Sequence, residues 1–135
     1  MKRRFLTVYR NALKTYQTMD RETMSGPETE ARVLTQAALK LKECQDNWDG
    51  DDRDAKLEEA LKYNQKIWSI FQVELARENN PLPQQVTMDL LRLSAFVDKR
   101  LFETMAYPTP EKLTAVININ HNIAAGLRET PDSSL

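Results

Sequence analysis

The sequence predicts an all-α protein: a single-domain antiparallel bundle of four longer helices, with a short helix ahead of them. Three observations carry this. Apolar residues recur at helical spacing through most of the chain. Glycine is confined to Gly26, Gly50 and Gly126, too few for a turn-rich barrel or doubly wound sheet. The prolines sit where the apolar stripes stop, at Pro27, Pro81, Pro83, Pro108, Pro110 and Pro131. A chain of 135 residues suits one domain spanning 1–135 and can bury a real core.

The first helix is read over residues 5–16, where Phe5, Tyr9, Ala12, Leu13 and Tyr16 share a face. It is short enough to need docking to persist. Residues 17–26 form a polar link ending in Ser25-Gly26, with Pro27 following. The second helix begins near Pro27 or Glu28, which suit a first turn. Its stripe is Ala31, Leu34, Ala37, Ala38, Leu41, Cys44 and Trp48, and the alanines allow close approach of a neighbour. The acidic stretch Asp46 to Asp52 ends it.

The third helix centres on Leu57 to Leu75. Leu57, Ala60, Leu61, Asn64, Ile67, Trp68, Phe71 and Leu75 fall on one face. Trp68 and Phe71 make it the heaviest stripe in the chain, and large aromatics tend to set the centre of a small core. Asp52 or Asp54 is the expected N-cap, and Glu78 to Pro81 the expected stop. The fourth helix starts at Pro83 and carries Val86, Leu90, Leu93, Ser94, Val97 and Leu101 on one face. Met88, Leu91, Ala95 and Phe102 give it a second apolar face, which predicts a central position. Thr109, Pro110 and Glu111 open the last helix, through Leu113, Val116, Ile117, Asn120, Ile123, Ala124 and Leu127. Residues 129–135 read as a loose tail. The expected core centres on Trp68, Phe71, Leu90, Val97, Ile117 and Ile123.

The chemistry-bearing residues are few. Cys44 is the only cysteine, so no internal disulfide forms, which fits a reducing cytoplasm. His121 is the only histidine. Neither a zinc site nor a nucleophile beside a base can be assembled. No cofactor motif is present. Asn47, Asp49, Asp51 and Glu58 have calcium-loop spacing, but Asp52 replaces the turn glycine and Ala55 stands where a ligand would help. Charge is nearly balanced at −1, and the only basic run is Lys2-Arg3-Arg4, which argues against direct nucleic-acid binding. No stretch is long enough to cross a membrane, and no apolar signal-peptide run follows that basic start. No catalytic site is expected.

Asn64 and Asn120 stand apart, each in the middle of an apolar stripe. A buried amide is costly unless bonded. Two readings are open. The pair fixes register by bonding internal groups, or one faces a groove and bonds a bound helix or strand.

Several segments carry a family resemblance. They are Glu59-Ala60-Leu61-Lys62-Tyr63-Asn64 with Ile67-Trp68-Ser69-Ile70-Phe71, Asn80-Pro81-Leu82-Pro83, Leu93-Ser94-Ala95-Phe96-Val97, and Ile117-Asn118-Ile119-Asn120 leading to Asn122-Ile123-Ala124-Ala125-Gly126-Leu127. Tyr16-Gln17 and Glu30-Ala31-Arg32-Val33-Leu34 add to them. In order and spacing the chain resembles the FlaF family of bacterial flagellar biosynthesis regulators from about Tyr9 to Arg128. It departs from the pattern at Pro27-Glu28 and in the polar tail. The resemblance implies a cytoplasmic, non-enzymatic protein that binds flagellin as an export chaperone and helps control flagellin synthesis, working alongside FlbT, a regulator of flagellin messenger. The alternative it leaves is a scaffold acting on messenger translation through FlbT without binding flagellin. On this reading Phe5, Tyr9, Leu13 and Tyr16, with Asn64 and Asn120, are the candidate partner-binding residues. The first helix would cover an apolar groove and give way to flagellin, or else pack permanently as a fifth core helix.

Overall fold

The computed structural model describes residues 26–80 and 82–129. The predicted first helix and the tail from Thr130 lie outside these residues. Within them the chain forms α1 (Gly26–Asp46), α2 (Arg53–Leu75), α3 (Gln84–Ala106), a 3-10 turn (Pro110–Leu113) and α4 (Thr114–Arg128), with no strand among the described residues.

Each helix forms where its stripe demands. All eight residues predicted on one face of α2 are buried, and Glu74 joins them. On α1 the predicted stripe from Ala31 to Cys44 is buried, while Trp48, beyond the helix end, is half-buried with the Arg53 guanidinium 4.3 Å from its ring centre. Ala31, Ala37 and Ala38 are fully buried, so α1 can lie close along both α4 and α2.

Side-chain contacts give the directions. Gln45, at the end of α1, donates to Thr114 Oγ1 at the start of α4 at 3.0 Å, and Arg128, at the end of α4, lies 3.6 Å from Glu28 at the start of α1. These two helices are therefore antiparallel. Lys40–Glu59 and Ala37–Asn64 set α2 antiparallel to α1, and Gln72–Asp98 with Asn80–Thr87 set α3 antiparallel to α2.

Several expectations are corrected. Helix α3 is not central. It packs along α2 and against the 3-10 turn, and of its side chains only Ser94, Val97, Leu101 and Thr104 are buried. Its second face remains open, with Phe102 71% exposed and Met88 41% exposed. The centre is instead α1 and α2. Leu90 and Ile123 are half-buried, not core. Asp52 occupies the N-cap position of α2 but makes no side-chain cap bond; it lies 3.5 Å from Lys56 Nζ. Thr109 likewise makes no side-chain cap bond, and the first turn after it is 3-10. Helix α2 stops at Leu75, earlier than predicted, because Asn80 folds back and donates to the Leu75 carbonyl at 3.0 Å.

Candidate partner-binding surface

A buried polar relay fixes the scaffold. Asn64 Nδ2 donates to the Ala37 carbonyl of α1 at 3.1 Å and to the Ala60 carbonyl at 2.9 Å. Its Oδ1 accepts from Asn120 Nδ2 at 2.7 Å, and Asn120 Oδ1 accepts from Trp68 Nε1 at 3.0 Å. Two carbonyls require the amino side of Asn64, and the indole requires the carbonyl side of Asn120, so both amides have one workable orientation. Asn64 and Asn120 are each 0% exposed. The structure thus brings these two predicted residues together, inside the protein and bonded to each other and to helix backbone, with neither amide facing a groove. The other four candidates, Phe5, Tyr9, Leu13 and Tyr16, lie outside the described residues.

The open surface is on α3. Met88, Leu91, Ala95, Asp98, Phe102 and Met105 follow alternating three- and four-residue steps, the spacing that presents one seam to a partner helix. Asp98 interrupts it, but its carboxylate accepts from Gln72 Nε2 at 2.8 Å and is tied to α2. Phe102 is exposed, Met88 and Met105 partly so. Beside Met105 a groove of about 420 Å³ opens between α2 and α3. Leu57 and Leu61 reach its floor, Thr104 and Pro108 form its far wall, and Glu58 and Lys62 stand at its rim. The Lys62 ammonium, 2.8 Å from Glu58, donates to that carboxylate and holds it below its ordinary range, so the rim is paired at neutral pH. An apolar seam that runs into a side-chain-sized groove has the form used to capture an amphipathic helix.

The sequence named Met88, Leu91, Ala95 and Phe102 as a second apolar face but read that face as the mark of a central helix. The missed residues are Met105 and the groove walls. The available signal was that Val97 and Leu101 already fill one face of α3, which leaves a second face in need of a different neighbour.

The remaining reactive groups do not build a site. Burial, then the neighbouring Glu43 carboxylate, pushes the Cys44 thiol up from its ordinary range. We predict that native Cys44 reacts with a thiol reagent at the rate of protein opening, at least tenfold slower than in urea; equal rates would show an accessible thiol. His121 is exposed, and among the described residues no group of three or more His, Cys, Asp or Glu is placed to hold a metal ion. No helix among them is long and apolar enough to cross a membrane.

The model of one family, described as flagellar protein FlaF, matches residues 12–127. The chain belongs to the FlaF family. The match takes in the relay, the α3 seam and nearly all of the four helices of this FlaF-family chain. No curated protein and no solved structure matches it significantly.

Proposed function

We propose that this FlaF-family protein is a cytoplasmic, non-enzymatic factor in flagellum biogenesis that binds flagellin as an export chaperone and so helps control flagellin synthesis. The observation that carries the reading is the open apolar seam of α3, leading into the groove beside Met105. Such a surface costs solubility unless it is used, and its spacing suits one amphipathic helix. The seam from Met88 to Met105 is about 26 Å long at 1.5 Å per residue, enough for nearly five turns of partner. A flagellar family assignment makes flagellin, whose terminal segments form amphipathic helices once polymerised, the natural candidate.

The test is a titration of purified protein with flagellin and, separately, with FlbT. Phe102→Glu is expected to weaken flagellin binding at least tenfold, about 1.4 kcal/mol. Its melting temperature should stay near wild type, because Phe102 is largely exposed. Unchanged flagellin affinity would remove α3 as the site. Binding to FlbT with none to flagellin would replace the chaperone reading with that of a scaffold acting through FlbT on flagellin messenger.

A further inference from the structure

The inner stripe of α3 runs out of neighbours before the helix does. Asn64 bonds Ala37, and eight residues further along α2 Gln72 bonds Asp98. Because α1 and α2 are antiparallel, Asp98 stands level with Thr29, in the first turn of α1, and Arg128, where α4 ends, pairs with Glu28 close to the same level. The part of α3 before Asp98, starting at Gln84, therefore overhangs the end of α4 by about 20 Å and the start of α1 by about 16 Å. Val97 and Leu101 are buried, but Leu93 and Leu90 on the same stripe are half-buried and Val86 is 42% exposed.

We propose that residues 5–16 of this chain dock beneath that overhang, laying Phe5, Tyr9, Leu13 and Tyr16 against Val86, Leu90 and Leu93. Two observations select this occupant. The described chain begins at Gly26, at the end of α1 that faces the overhang. The helix that the sequence predicts over the twelve residues 5–16 would span about 18 Å, between the two overhang lengths, and the nine linking residues 17–25 can reach up to about 30 Å, enough to turn back. The proposal does not depend on flagellin binding, and it leaves the outer seam of α3 uncovered.

A nitroxide at Lys14→Cys, on the back of the N-terminal stripe, tests it in the full chain with Cys44→Ala. The methyl signals of Val86, Leu90, Leu93 and Leu127 are expected to vanish, while those of Leu57 and Leu113, at the opposite end, are retained. Adding Tyr9→Glu and Leu13→Glu should restore the lost signals. Strongest broadening along Met88 and Met105, or no selective broadening at all, overturns the proposal. So does broadening that appears when labelled chain is mixed with unlabelled chain, which would make a second copy the occupant.

Discussion

Trp68→Ala is expected to lower unfolding free energy by about 3–5 kcal/mol, a large part of what a domain of this size possesses. Trp68 is 1% exposed, and its ring meets Phe71 edge-on with centroids 5.0 Å apart. Truncation removes that packing and the indole N–H that Asn120 Oδ1 accepts. The two losses can be separated. Trp68→Phe keeps most of the apolar ring but leaves a buried amide oxygen without its donor, which costs about 1–3 kcal/mol. Urea denaturation of the three proteins checks both figures. If Trp68→Ala melts with wild type, Trp68 is not at the centre. If Trp68→Phe is as damaging as Trp68→Ala, the hydrogen bond outweighs the packing.

What the sequence made legible follows the periodicity. The α2 stripe was readable residue by residue because one face of that helix is buried along its whole length, so pattern and environment coincide. The same holds for α1 from Ala31 to Cys44 and for Leu113, Val116, Ile117, Asn120 and Ala124 of the last stripe, but not for Ile123, which is half-buried. Helix α3 was misread for a physical reason. Two apolar faces have the same pattern whether the second is covered by the protein's own chain or left for another molecule. Leu90 was misplaced because a stripe says which face turns inward and not how far along the helix its neighbours extend. Caps were misread because Asp52 and Thr109 have the right residue types, yet the Asp52 carboxylate goes to Lys56 and Thr109 makes no cap bond. The open seam was thus visible as a pattern, while its role depended on lengths and registers that only the packed helices set.

The asparagine pair should show strong coupling. Asn64→Leu leaves the Asn120 amide without its acceptor in a dry site, at a cost of about 1–3 kcal/mol beyond any packing change. The Ala37 and Ala60 carbonyls lose little, since each sits within a helix and can keep its ladder bond. Asn120→Leu deprives Asn64 Oδ1 and the Trp68 N–H at once, and is expected to cost at least as much. The double substitution leaves only the indole N–H unpartnered, because the amides that each single change had orphaned are gone. It should therefore destabilise by less than the two single costs added together, with a coupling of about 1–2 kcal/mol. A double-mutant cycle in urea measures this directly, and costs that add would show that the amides act independently. Partner affinity, corrected for the folded fraction, should stay at the wild-type value in all three variants, because neither side chain reaches the surface. A tenfold loss of affinity in a fully folded Asn64→Leu protein would instead mean that the relay sets the helix register on which the α3 surface depends.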